Sequence, residues 1–223
     1  MYNKMNVLIF ISSLYFICFQ SAQGDLTDGQ KKDLPDAHNW FRAFVAGGQD
    51  GWQPSAANML KLKWSAESAS KAQNLADQCK FDDFTMEDIS YGTYKSVGNN
   101  SELLTEDIYI SNPVYKFYEW LQDAFSYDVS TNTCKSPTCE HHAQMMWADS
   151  QELGCGMSNC DTSQVKQSYL ICIYGPGGDV KLKPPYKTDL LARNVQLEHI
   201  VSIHYAVDFK MNFSHLSNEN ILK

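Results

Sequence analysis

Between residues 27 and 46, Leu34, His38, Phe41 or Arg42, and Val45 recur at three- and four-residue spacing, which predicts an amphipathic helix. Pro35 either occupies the first turn or kinks a longer helix beginning at Thr27, and Gly47-Gly48 ends it. A Gly- and Pro-bearing turn at 49–55 and a lead-in at 57–64 precede a second helix over 65–79. Ser65 suits its N-cap and Glu67 its positive end. Ala69, Ala72 and Leu75 or Ala76 form a narrow small-residue face, so this helix should pack close to a neighbour. Within 81–100, Tyr91, Tyr94 and Val97 alternate as in a short strand. Asn112 and Pro113 open a third helix whose apolar side is Val114, Phe117 or Tyr118, Leu121 and Phe125. A fourth begins near Glu140, carries His141, Gln144 and Trp147 on one face, and is broken by Gly154. Cysteine-bearing strands follow at 153–158 and 168–174. Beyond Tyr186 periodicity returns only at 190–207, as a short strand or helix, before a polar, Asn-rich tail. Helices on both sides of strands clustered late predict an α+β fold, a three-layer α-β-α sandwich.

The first residues change this picture. Lys4, an apolar run at 7–19 and the small residues of Ala22-Gln23-Gly24 form a secretory leader over 1–23, too short to span a bilayer. A single domain should follow over 25–187, with an extension at 188–223. Removing the leader removes one Lys and no acid, so the formal net charge of −8 becomes −9. An acidic chain without a basic run is a poor candidate for nucleic acid or for anionic membrane surfaces. Of seven cysteines, Cys18 leaves with the leader. The remaining Cys79, Cys134, Cys139, Cys155, Cys160 and Cys172 are an even set in an oxidising compartment, hence disulfides. Their spacing lacks the paired knuckles of a zinc site. The sequons Asn99-Asn100-Ser101 and Asn212-Phe213-Ser214 are glycosylation candidates, Asn212 in the tail being the better placed.

Several separated motifs, in order, carry a family resemblance. His38-Asn39-Trp40-Phe41-Arg42 resembles H-N-x-x-R, the stretch from Asn58 to Trp64 resembles N-M-x-x-L-x-W, and that from Ala72 to Cys79 resembles A-x-x-x-A-x-x-C. His141-His142-Ala143-Gln144-Met145-Met146-Trp147 resembles H-Y-T-Q-x-x-W. Gly154-Cys155-Gly156 and the run from Cys172 to Gly178 resemble the two signatures that follow. All belong to the CAP superfamily of cysteine-rich secretory proteins, insect venom antigens and plant pathogenesis-related proteins. The likeness extends to venom allergen-like proteins of parasitic helminths, schistosome flatworms in particular. It covers about residues 27–187 and implies the same α-β-α sandwich. It also implies the pairs Cys79–Cys160, Cys155–Cys172 and Cys134–Cys139; from the residues alone, Cys134 and Cys139 either close on each other or brace the next helix.

In that family a cleft of two histidines and two acids can hold a divalent metal. His38 and His141 match the histidines, whereas Asn99 and Trp120 stand where the acids belong, so weak metal-dependent activity is a third-ranked reading. By pattern alone His38 also reads as a core histidine with a satisfied hydrogen bond. A glycan on Asn99 would fall at the cleft position. No G-x-S-x-G or H-E-x-x-H occurs, and nothing pairs His142 with Ser70 or Ser168, so the expectation is a protein that is not an enzyme and needs no cofactor. The resemblance implies instead a fatty acid or sterol ligand, in a slot lined by Phe41, Phe44 and Val45 with Met145 and Met146; the plainer reading of each is ordinary core. Residues 81–94 occupy the place of a sterol-binding loop, or are a solvated acidic loop. The alternative function is a secreted module that engages a host plasma or receptor protein without lipid.

Overall fold

The computed structural model describes residues 24–48, 53–81, 84–85, 89–92, 94, 96–135, 139–178 and 183–188. The leader, the periodic stretch at 190–207 and Asn212 lie outside the described residues.

Helix α1 runs Asp28–Ala46 and starts from a reciprocal capping box between Thr27 and Gln30. The longer of the two alternatives for Pro35 therefore holds, with the proline inside the helix. After β1 (Lys63–Trp64), α2 spans Ala66–Ala76 with Ser65 as its N-cap. Strand β2 is Gly98–Leu104, later than the expected Tyr91–Val97 alternation; Tyr91 and Val97 are buried loop residues. A short helix α3 (Asp107–Ser111), absent from the sequence expectation, precedes α4 (Val114–Gln122), whose first amide donates to the Asn112 side chain. A 3-10 turn, Asp123–Ser126, tightens the end of α4 and leaves Phe125 61% exposed rather than on the apolar side. The hairpin β3 (Tyr127–Asp128) and β4 (Thr133–Cys134) leads to α5, only Glu140–Met145. The helix thus ends before Trp147, and Gly154 breaks nothing: it lies inside β5 (Glu152–Asn159), which pairs with β6 (Ser168–Gly175).

Among the described residues the main sheet has the order β1-β5-β6-β2, antiparallel except for the β1–β5 pair. Period-2 alternation divides its side chains between two clusters. Leu153, Cys155, Leu170, Cys172 and Tyr174 join Phe41, Val45, Phe117 and Met145 on the side of α1, α4 and α5. Tyr169, Ile171 and Ile173 meet Ala72 and Ala76 of α2 on the other. The fold is thus the α+β sandwich. A Cβ on Gly154 would lie 2.2 Å from the Ala69 nitrogen and one on Gly156 2.2 Å from that of Gln73, so α2 rests directly on the strand. The small-residue face has its partner. Disulfides join Cys79 to Cys160, Cys134 to Cys139 and Cys155 to Cys172; the second both closes on itself and fixes the N-cap of α5.

Candidate functional site

On the inner face of α1, His38 is fully buried and both its ring nitrogens are engaged. Nδ1–H donates to the Leu34 carbonyl (2.9 Å), which leaves Nε2 to accept from the Tyr174 hydroxyl (2.8 Å). Asn100 donates to the same hydroxyl (3.3 Å) and to the His141 carbonyl (3.0 Å), tying β2, β6 and α5 to α1. Burial pushes the His38 imidazole down to about 3, and the Tyr174 phenol upward, so both are neutral at physiological pH.

The two family histidines are separated by aromatic rings. His38 meets Phe117 edge-on at 4.2 Å, Phe117 stacks on Trp120 at 5.2 Å, and Trp120 stacks on His141 at 5.1 Å. Trp120 thus puts an aromatic ring where a carboxylate belongs, the third of four rings in contact from His38 to His141. The carboxylates near His141 come from elsewhere. Asp123 Oδ2 lies 3.7 Å from His141 Nδ1, and Glu102 Oε2 accepts from the Trp120 indole at 3.4 Å. Lys116 joins Glu102 (3.5 Å) to Glu119 (2.6 Å), and Tyr109 donates to Glu119. Burial raises the Asp123 carboxyl against the pull of His141. Burial alone would also raise Glu119, but hydrogen bonds from Lys116 and Tyr109 bring it below its ordinary value.

Asn99 is elsewhere. Register pairs it with Ile173, a residue of the α2 side, while Gly98, Asn100 and Glu102 point toward α4 and α5. The expectation that a sugar on Asn99 would fall at the cleft is corrected, because strand alternation turns this position to the opposite face. Among the described residues no three His, Cys, Asp or Glu side chains gather as metal ligands. Ser70 is exposed on α2, across the sheet from His142, and Ser168 donates to Asn159, so the structure assembles neither suggested nucleophile with a histidine.

Residues 36–174 match CAP, the cysteine-rich secretory protein family. The chain belongs to that family. It is 34% identical over 192 residues to Scoloptoxin SSD976 of Scolopendra dehaani, covering 82% of this chain and 90% of the relative. Venom allergen 5 of Vespula pensylvanica is 33% identical over 172 residues, covering 73% and 82% respectively. The solved venom allergen-like protein 4 of Schistosoma mansoni superposes with a TM-score of 0.62 at 29% identity, covering 74% of this chain and 97% of its own.

This CAP domain holds most of the expected lipid-slot residues in its core. Phe41, Val45, Met145 and Met146 are buried, and only Phe44 of that set is part-exposed, stacked on Trp40 at 5.3 Å. Between α1 and α5 lies the guanidinium of Arg42. It donates to the carbonyls of Leu60 (2.6 Å), Met145 (2.7 Å), Trp147 (2.9 Å), Ala148 (3.2 Å) and Ser150 (3.4 Å). These include carbonyls left open where α5 ends. Burial draws Arg42 down to about 10, still charged at neutral pH. Part-buried apolar side chains flank the contact between α1 and α4: Trp40 and Phe44 on one helix, Val114, Tyr118 and Leu121 on the other. Phe41 and Tyr118 meet edge-on at 5.0 Å beneath them. Sequence reasoning missed Glu102, Asp123 and the work of Arg42. The signal for Asp123 was its place three residues after Trp120 on one helical face.

Proposed function

We propose that this CAP domain is an extracellular lipid carrier that holds a fatty acid or sterol along the α1–α4 boundary and acts at a host–parasite interface. The observation that carries the reading is the part-buried row of Trp40, Phe44, Val114, Tyr118 and Leu121, a surface that an acyl chain or sterol ring could cover further. Burial of each methylene contributes about 0.8 kcal/mol. The apolar run at 7–19, with small residues at 22–24, and the kinship with venom proteins support secretion. Absence of catalysis is part of the proposal: His38 has no free nitrogen, and no nucleophile meets a base in the described site.

The test is mass spectrometry of solvent extracts from the secreted protein, followed by displacement of a fluorescent fatty acid. Co-extracted lipid and displacement lost in Phe44→Asp support the carrier. Phe44 is the position to charge, because a charge on the fully buried Met145 would disrupt the core. Equal displacement by Phe44→Asp sinks the proposed row.

The second reading is a module that binds a host plasma or receptor protein. It is favoured by exposed Ile108 and Val165, next in sequence to the paired Asp107 and Lys166, and by exposed Tyr115. An empty extract together with a stoichiometric partner from plasma would select it.

A further inference from the structure

We propose that His142, Met145 and Met146 form a buried site for a soft monovalent cation, copper(I) or its redox-inert surrogate silver(I). His142 has no solvent exposure, and neither of its ring nitrogens meets a hydrogen-bond partner among the described residues. Unpaired buried polar groups are rare in folded proteins, and each requires an explanation such as a bound ion. The contrast with its neighbours is sharp: His38 has both nitrogens engaged, and His141 is part-exposed and faces Asp123.

The residues at the end of the same helix supply the matching donors. Met145, the last residue of α5, stands three positions after His142, the spacing that brings side chains together on a helix, and Met146 is the C-cap that follows it; both are completely buried. A neutral imidazole with thioether sulfurs is a soft donor set, which selects copper(I) over hard cations. Zinc is the poorer match, because the described residues bring no three His, Cys, Asp or Glu groups together. Tyr127, its ring 6.0 Å from that of His142, adds an apolar wall, and the Cys134–Cys139 disulfide holds the start of the helix. Arg42, the cation bonded to the Met145 carbonyl, has its charge spread over backbone oxygens.

The experiment uses the secreted protein with its disulfides intact, so no thiol competes for the ion. Methionine methyl carbons are labelled, and silver(I) is titrated while their NMR signals are followed. The expected result is a one-to-one shift of the Met145 and Met146 methyls and of the His142 ring, with Met157 unmoved. Melting temperature should rise with silver by mass action. His142→Phe should abolish both effects. The Met145→Leu, Met146→Leu double variant conserves core volume, so it keeps the test decisive even where His142→Phe unfolds the chain. Copper(I) supplied anaerobically should reproduce the silver shifts. Methyl signals that stay in place, a double variant that binds as well as wild type, or equal shifts of every methionine would overturn the site.

Discussion

Arg42 shows how much of the CAP domain rests on single side chains. Its guanidinium is buried, has no carboxylate partner among the described residues, and meets backbone carbonyls on both sides of the α1–α5 junction. Arg42→Met should cost about 3 kcal/mol or more in urea unfolding, since several carbonyls would lose their donors at once. Arg42→Lys should fall short as well, because a point charge cannot reproduce a planar fork; a lysine variant of wild-type stability would refute the fork. Histidines give a second residue-level prediction. Burial holds His38 at about 3 and His142 at about 4 in the folded chain, against about 6.5 when unfolded. Between those values the unfolded chain binds more protons, so their contribution is fully present above pH 6.5 and is lost as pH falls. The urea midpoint should decline from pH 6.5 to 4, with a slope of up to about 1.4 kcal/mol per pH unit for each histidine. Replacing His142 with Phe should remove its share of that slope. The histidine positions were legible because they fall in recognisable motifs. The carboxylates were not, since Glu102 and Asp123 reach the site through strand alternation and a 3-10 turn that only the folded chain defines.

At the level of elements, α2 and its strand platform depend on close approach. Gly154→Ala should lower stability by about 2 kcal/mol or more, as the added carbon would strike α2 backbone that cannot give way. The Cys79–Cys160 bridge closes the longest loop among the disulfides, with a separation of 81 residues. Cys79→Ala with Cys160→Ala should cost about 4 kcal/mol, more than loss of the Cys134–Cys139 pair, separated by 5. Calorimetry of the two double variants would rank them, and the reverse order would overturn the loop-length argument. Helix α1, helix α2 and strands β5 and β6 were readable because apolar periodicity and caps agreed there. Strand β2 was not. Its residues toward α4 and α5 include Gly98, Asn100 and Glu102, which bury hydrogen bonds rather than hydrocarbon, so no apolar alternation marks it. Short α5 was overextended for a related reason: Trp147 continues the three-residue spacing although the backbone has already turned.

For the whole molecule, the lipid reading makes a thermodynamic demand that is independent of any displacement assay. A ligand held between α1 and α4 touches the folded chain alone, so it must stabilise that state by RT ln(1 + [L]/Kd). At a hundredfold excess over Kd the gain is about 2.7 kcal/mol. A domain of this size should then melt roughly 5–10 °C higher, at about 2–4 °C per kcal/mol. The rise should grow with the logarithm of ligand concentration and with acyl chain length, because each added methylene buried strengthens binding. Phe44→Asp should abolish the rise while leaving the ligand-free melting point close to wild type, since Phe44 is part-exposed and its removal opens no core cavity. The Arg42 junction supplies the control. Arg42→Lys should lower the ligand-free melting point yet keep the ligand-induced rise, because its carbonyl partners lie on the α5 side of α1 and not along α4. A rise lost in the lysine variant and retained in Phe44→Asp would move the ligand to the α1–α5 side. No rise in the wild-type chain with either a fatty acid or a sterol would leave the exposed surface around Ile108 as the functional face.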